Sequence, residues 1–133
     1  MVAWFVIFKM NSSYILILIV IIGIFLYSRS TSNIPKVSSE ESLELLYDEN
    51  YKFLDVRTDS EFSNGHIPNS IHIPLDELQG RMKEIEPIKD KNIIVCCRSG
   101  IRSSKATNIL LENDFQVFNL SGGILSWKGE LTK

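Results

Sequence analysis

The residues best suited to chemistry lie in one polar segment, where a cysteine stands between an apolar stretch and the start of a helix. Residues 92–96 favour a short buried strand, and Ala106 and Leu110 have helical spacing in the segment from Ser103 to Glu112. Cys97 opens the turn between them. Unpaired N–H groups at a helix N-terminus favour an anion, and nearby cations lower a thiol pKa from about 8.5. Because Arg98 and Arg102 are close, Cys97 is predicted to be a nucleophilic thiolate.

The two adjacent cysteines are expected to differ. Cys96 is the last residue of the strand pattern, and successive strand side chains point to opposite faces, so Cys96 is predicted to pack in the core. The same divergence argues against a disulfide between Cys96 and Cys97, which needs close and aligned Cβ atoms. The alternative for Cys97 itself is a small buried residue, the usual environment of a free cysteine.

The N-terminal part of the chain differs sharply in composition from the rest. All 16 acidic residues lie at Glu40 or later, and Lys9 is the one charged residue among the first 28. The apolar stretch predicts a membrane anchor in residues 1–29, with a helix at about 10–28 that approaches the ~20 residues needed to cross a bilayer. A cleaved signal peptide is the alternative, although no A-x-A-like cleavage site follows. Either Met1 or Met10 serves as the start.

Charges flanking this stretch give the expected localisation: a single-pass membrane protein whose C-terminal domain is cytoplasmic. Lys9 precedes the stretch, and Arg29 and Lys36 follow it. Residues 30–33 form a polar linker to one domain at 34–133, a common domain size. From residue 30 onward 12 basic and 16 acidic residues give a formal net charge of −4, with no basic stripe, so nucleic acid is not an expected partner. No Cys/His spacing indicates a metal site.

Alternating strand and helix patterns predict an α/β fold class for residues 34–133, with a parallel sheet and helices on both faces. Such sheets bind ligands at the carboxyl ends of their strands, where Cys97 lies. The patterns place strands at residues 34–37, 51–56, 71–73, 92–96 and 115–120, and helices after Ser38, after the capping box Thr58-Asp59-Ser60-Glu61, from Ser103, and after Gly122-Gly123, the last burying Ile124, Leu125 and Trp127.

Several separated motifs resemble the rhodanese-type sulfurtransferase domain over essentially residues 34–131. The motifs are Phe53-Leu54-Asp55-Val56-Arg57 with Glu61-Phe62, then Gly65 to Pro74, then Cys97-Arg98-Ser99-Gly100-Ile101-Arg102-Ser103, and finally Gly122 to Trp127. Asn69 and Asp114 stand where the family often has glycine, and both residue types tolerate the turn conformation that glycine adopts. Four motifs in consistent order are specific together, although each alone is weak.

The resemblance implies a five-stranded parallel sheet and a single-domain sulfurtransferase. A sulfane sulfur would move from a donor such as thiosulfate to cyanide or a cellular thiol through a Cys97 persulfide, held by the N–H groups of the loop Cys97 to Arg102 and by Ser103. The expected partners are a small anionic donor and a thiol acceptor, with a protein sulfur carrier as a further option and no cofactor. Arg98 or Arg102 would attract the donor. The alternative is that either arginine is solvated or paired with a nearby carboxylate, in an ion pair that contributes well under ~1 kcal/mol to stability.

The roles of other charged and titratable side chains stay open at this point. Asp55 and Arg57 lie at the end of another strand, so they are candidates for orienting the loop, although an Arg57 to Glu61 pair is equally consistent with the spacing. His66 and His72 lie in proline-bounded segments and are expected to be structural.

Two rival functions use the same features. Phosphatases and arsenate reductases also hold a cysteine in a loop of N–H groups, but they resemble one another in having five residues between Cys and Arg, whereas Cys97 and Arg102 have four between them. The shorter loop suits a single sulfur atom. The other rival is a binding or regulatory module that keeps the fold without the chemistry, and the presence of Cys97 argues against it.

Overall fold

The computed structural model describes residues 12–30 and 34–133 of the chain, which belong to two separate units. The first unit contains one helix, α1, at Ser12–Ser30. The predicted linker at 30–33 falls mostly outside the described residues, and so do both alternative starts, Met1 and Met10.

The prediction of a membrane anchor is wrong. Within 12–30 and 34–133 no helix is both long enough and apolar enough to cross a membrane. The single-pass membrane localisation is therefore corrected, and the cytoplasmic placement deduced from the anchor's orientation loses its basis.

The second unit, residues 34–133, is an α/β domain around a five-stranded sheet. The strands are β1 (Lys36–Val37), β2 (Tyr51–Asp55), β3 (Ile71–His72), β4 (Asn92–Cys96) and β5 (Gln116–Leu120), in the order β1-β5-β4-β2-β3. Every pairing is parallel. The predicted fold class and the five parallel strands are thus confirmed, with strand ends that differ from the predicted ones by up to two residues.

An apolar cluster covers each face of the sheet, and the side chains of the central strand β4 point alternately into one cluster and the other. Ile93 and Val95 pack on one face with α4 (Ile101–Glu112) and with two short 3-10 helices, Met82–Glu84 and Glu86–Ile88. Ile94 and Cys96 pack on the other face with Phe53 and Trp127, whose rings meet edge to face at 5.9 Å. Burial on both faces explains why β4 is an almost uninterrupted apolar run.

The remaining helices of this unit are short and begin at side-chain caps or left-handed turns. They are α2 (Ser39–Glu44), α3 (Asp59–Ser63) and α5 (Gly123–Ser126). Ser38 with Glu41 and Thr58 with Glu61 form reciprocal capping boxes. The box at Thr58 was predicted from the sequence, whereas Ser38 was predicted only to precede a helix. Asn69 and Asp114 have positive φ values of 60° and 62°, so both occupy the left-handed conformation that the turn interpretation required.

Candidate active site

The turn between β4 and α4 places the two cysteines on opposite faces of the sheet. Cys96 belongs to the cluster with Phe53 and Trp127, and Cys97 belongs to the cluster with Val95. Burial, and then the negative charge of Asp55, raise the pKa of the Cys96 thiol well above its usual range. Cys96 is therefore a packing residue in this structure, and both cysteines are free thiols.

The sulfur of Cys97 lies in a group of hydrogen-bond donors at the start of α4. The Gly100 N–H donates to Sγ at 3.1 Å, and the Ser103 hydroxyl lies 3.3 Å from Sγ. Burial raises the pKa of the Cys97 thiol, but hydrogen bonds from the Ser103 hydroxyl and from the N–H groups of Ser103, Gly100 and Ser99 outweigh it. The net result is a pKa below the usual value, which favours the nucleophilic thiolate.

Gly100 determines where the loop turns into the helix. Its φ of 99° is in the left-handed region, which glycine adopts without strain, and α4 begins directly after it at Ile101. The sequence pattern predicted a start at Ser103, two residues later. With this start Ser103 is the third residue of the helix, and its hydroxyl lies 3.3 Å from the sulfur.

The loop is also held by residues of α5, which lies further along the chain. The Ile124 N–H donates to the Cys97 carbonyl at 2.8 Å, and the Leu125 N–H donates to the Arg98 carbonyl at 3.1 Å. A Cβ on Gly123 would collide with the Cys97 and Arg98 carbonyls, so a side chain at this position is excluded while these bonds are made. The sequence indicated a tight turn at Gly122-Gly123 but gave no sign that the turn contacts the loop.

The two loop arginines have different environments. Arg102 donates two hydrogen bonds to Glu61, at 2.8 and 2.7 Å, and this pair joins α4 to α3. The side chain of Arg98 is exposed and forms no ion pair with any residue in 12–30 or 34–133. The charge of Arg102 is thus largely neutralised, whereas that of Arg98 is available to an incoming anion.

Asp55 and Arg57 form a buried ion pair with each other. Arg57 Nη2 donates to Asp55 Oδ2 at 2.7 Å and to the Gly65 carbonyl at 2.8 Å. Burial lowers the pKa of Arg57, but the hydrogen bonds and charge of Asp55 outweigh it, so the net pKa is raised. Within the described part of the chain neither side chain is hydrogen-bonded to the Cys97 loop. The spacing-based alternative, Arg57 with Glu61, is replaced by Arg102 with Glu61.

The two histidines pack on either side of one aromatic ring. His66 and His72 are stacked on Phe62 with centroid distances of 3.7 and 4.2 Å. His66 Nδ1 lies 3.0 Å from the Phe62 carbonyl, and His72 Nε2 lies 2.9 Å from the Arg57 carbonyl. These contacts stabilise α3 and the end of β2, which are far from Cys97 in the sequence.

Two cavities flank the loop. One of about 440 Å³ is lined by Val56, Leu75 and Arg102 among others, and Val56 and Leu75 also pack in the cluster that contains Cys97. The other, of about 480 Å³, is lined by Ser99, Gly100, Ile101 and the lysines Lys36 and Lys105. The first cavity therefore lies on the same face of the sheet as the sulfur.

Comparison with known proteins identifies the family. The model of the family described as "Rhodanese-like domain" matches residues 38–130. The chain belongs to the rhodanese-like family. This rhodanese-like domain is 35% identical over 96 residues to a sulfurtransferase of Allochromatium vinosum, covering 71% of this chain and 88% of that protein.

Two further similarities support the assignment. The rhodanese-like domain is 37% identical over 83 residues to the YtwF protein of Bacillus subtilis, covering 62% of this chain and 79% of that protein. It superimposes with a TM-score of 0.68 on the crystal structure of a rhodanese-related protein of Thermoplasma volcanium, at 32% identity, covering 74% of this chain and 97% of that one.

Some residues of the rhodanese-like site escaped the sequence analysis. Glu61 was identified as a helix cap, but its pairing with Arg102, 41 positions away, was not. Asn119 was treated as part of a strand, whereas its side chain contacts Ser103 and Gly100. The available signal was that Asn119 is a polar residue within an otherwise largely apolar strand that ends at the same sheet edge as β4.

Proposed function

We propose that this chain is a sulfurtransferase that forms a persulfide on Cys97. The Cys97 thiolate attacks the outer sulfur of thiosulfate, the S–S bond of thiosulfate breaks, and sulfite leaves with the bonding electron pair. The product is a Cys97 persulfide anion. An acceptor thiolate then attacks the outer sulfur and forms its own persulfide, and the Cys97 thiolate is released. With cyanide as acceptor the product is thiocyanate.

The environment of the Cys97 sulfur is the observation that carries this proposal. The Gly100 N–H at 3.1 Å and the Ser103 hydroxyl at 3.3 Å stabilise a negative charge on Sγ. The pKa of Cys97 is lowered in spite of burial, so a thiolate forms without a separate general base. The same donors stabilise the thiolate when it leaves in the second step.

Arg98 is the residue that we assign to attraction of the anionic donor. Its guanidinium is exposed and unpaired within the described residues, whereas Arg102 is held by Glu61. Cys97 is only 1% exposed, which favours a small donor that presents a terminal sulfur. The cavity lined by Val56, Leu75 and Arg102 is the route that we assign to it.

The acceptor belongs to the class of thiols. A small thiol and a cysteine thiol of a carrier protein would both present a single nucleophilic sulfur to the persulfide. The exposed apolar side chain of Ile101, within the loop, is compatible with either acceptor.

The test is the rate of thiocyanate formation from thiosulfate and cyanide by the purified chain. We expect activity in the unmodified chain, loss of activity in Cys97→Ser, and retention in Cys96→Ala, since Cys96 is buried on the opposite face. Activity that survives Cys97→Ser would refute the assignment of the nucleophile. Absence of thiocyanate from a folded unmodified chain would refute thiosulfate as the donor.

A further inference from the structure

The Ser103 hydroxyl has two neighbours that compete for its single proton. Its oxygen lies 2.6 Å from Asn119 Oδ1 and 3.3 Å from Cys97 Sγ. A hydroxyl donates one hydrogen bond at a time, although it accepts others. Ser103 therefore cannot donate to both atoms.

The orientation of the Asn119 amide follows from its other contact. Asn119 Nδ2 lies 3.2 Å from the Gly100 carbonyl, which can only accept, so the amide nitrogen must face it and Oδ1 must face Ser103. Asn119 lies opposite Val95 in the pairing of β4 with β5, next to the strand end that carries the cysteines, and is 4% exposed. Its position is thus fixed by the sheet.

We propose that Asn119 is a positioning residue that holds the Ser103 hydroxyl proton away from Cys97 Sγ in the thiol form and yields it when the sulfur becomes anionic. In the thiol form the Cys97 S–H donates to Ser103 Oγ, the Ser103 O–H to Asn119 Oδ1, and the Asn119 N–H to the Gly100 carbonyl. In the anionic form the Ser103 hydroxyl turns to Sγ, and Asn119 Oδ1 loses its partner.

This exchange makes the thiolate less stable than Ser103 alone would make it. A buried amide oxygen without a partner is unfavourable, and that cost offsets part of the hydrogen bond gained by the sulfur. Removing the Asn119 acceptor therefore releases the hydroxyl to the thiolate. The Gly100 carbonyl keeps a partner in such a variant, because it also accepts from the Ser104 N–H at 3.1 Å.

Other charged and titratable groups surround the sulfur but do not take part in this exchange. Arg102 on α4 and Cys96 on β4 interact electrostatically with Cys97. Asp55, from β2, is paired with Arg57. Within the described residues none of these side chains is hydrogen-bonded to Ser103 or Asn119. Their electrostatic effects on the Cys97 sulfur therefore stay constant when position 119 is changed.

The test measures the rate of alkylation of Cys97 by iodoacetamide against pH in the 133-residue chain. Asn119→Leu keeps the branched shape and removes both polar atoms. We expect the midpoint of its rate profile to fall by roughly one pH unit. At a fixed pH below the midpoint, the fraction of Cys97 present as thiolate should then rise about tenfold. Ser103→Ala should raise the midpoint. In the Ser103→Ala background Asn119→Leu should change the thiolate fraction by less than about twofold.

The double variant separates the exchange from a general loosening of the loop. The proposal would be overturned if Asn119→Leu lowered the pH midpoint as much in the Ser103→Ala background as in the unmodified chain. It would also be overturned if the Asn119→Leu single variant showed no shift of the midpoint. Asn119→Ala, which removes the same acceptor, gives the answer if the leucine variant does not fold. Since the proposal rests on Cys97 being the nucleophile of the proposed function, Cys97→Ser is the blank. Alkylation needs no sulfur donor, so failure of this inference and failure of sulfur transfer are distinguishable.

Discussion

The ion pair between Glu61 and Arg102 joins α3 to the first turn of α4, and replacing Glu61 by glutamine removes its charge while keeping its shape. Glu61 also accepts from the Thr58 N–H at 3.1 Å as part of the capping box, and glutamine can serve in that role. Glu61→Gln is therefore expected to weaken the link to Arg102 and leave the helix cap in place.

The expected loss of stability can be worked out from the pKa of Glu61. Hydrogen bonds from Arg102 are the largest cause that lowers this pKa, to about 2. Against an unfolded value of about 4.3 this corresponds to a ceiling of about 3 kcal/mol. The two side chains are 34% and 30% exposed, so solvent screening reduces the value to about 1 kcal/mol. For a domain of this size that lowers Tm by about 4–8 °C.

The loss should depend on pH in a defined direction. Because the pKa of Glu61 is lower in the folded state than in the unfolded state, the stabilisation is fully present above about pH 5 and is lost as the pH falls through about 2. The difference in unfolding free energy between the unmodified chain and Glu61→Gln, measured by urea denaturation, should therefore be largest near neutral pH and shrink at acid pH.

Glu84 provides a matched control. It accepts two hydrogen bonds from Arg81, at 2.7 and 2.9 Å, in a pair of the same geometry that is local in sequence and more exposed. Glu84→Gln should lower the free energy of unfolding by less than Glu61→Gln does at neutral pH, since a local surface ion pair contributes little to stability. Equal costs for the two variants, or a cost of Glu61→Gln that does not shrink in acid, would refute the reasoning.

Two further predictions concern the loop. Arg98→Ala should raise the KM for thiosulfate by roughly two- to fivefold at low ionic strength, and the effect should fade in ~1 M salt because the guanidinium is exposed; an unchanged KM at low salt would contradict the role given to Arg98. Gly123→Ala should abolish sulfur transfer and cost on the order of 2 kcal/mol or more in chemical denaturation, because its Cβ meets backbone carbonyls. Gly80→Ala, whose Cβ has ordinary contacts, is the control, and equal stability of the two glycine variants would count against the contact.

Local signals in the sequence predicted most of the domain's fold. Capping residues at Ser38 and Thr58 marked two helix starts, and the apolar run of β4 marked the central strand. The start of α4 was missed by two residues because a left-handed Gly100 allows the helix to begin directly after the loop. Leu125 was expected to be buried but is 68% exposed, since a helix of four residues buries little of its surface.

The sequence predicted only those residues of the site that lie in one contiguous segment. Cys97 and the loop after it are contiguous, so their spacing next to a strand and a helix was visible. The contacts of Glu61 with Arg102 and of Asn119 with Ser103 join segments that are far apart in the chain, and no local pattern predicts them. The anchor prediction rested on the apolar composition of residues 10–28, and no helix in the described residues is long and apolar enough to cross a membrane.

The most direct test of the account is the intact mass of the chain after treatment with thiosulfate and removal of excess reagent without reductant. We predict a gain of one sulfur atom per chain, retained in Cys96→Ala, absent in Cys97→Ser, and removed by cyanide with release of thiocyanate. A folded chain that gains no sulfur, or one in which Cys97→Ser gains it equally, would contradict the central claim that Cys97 carries the transferred sulfur.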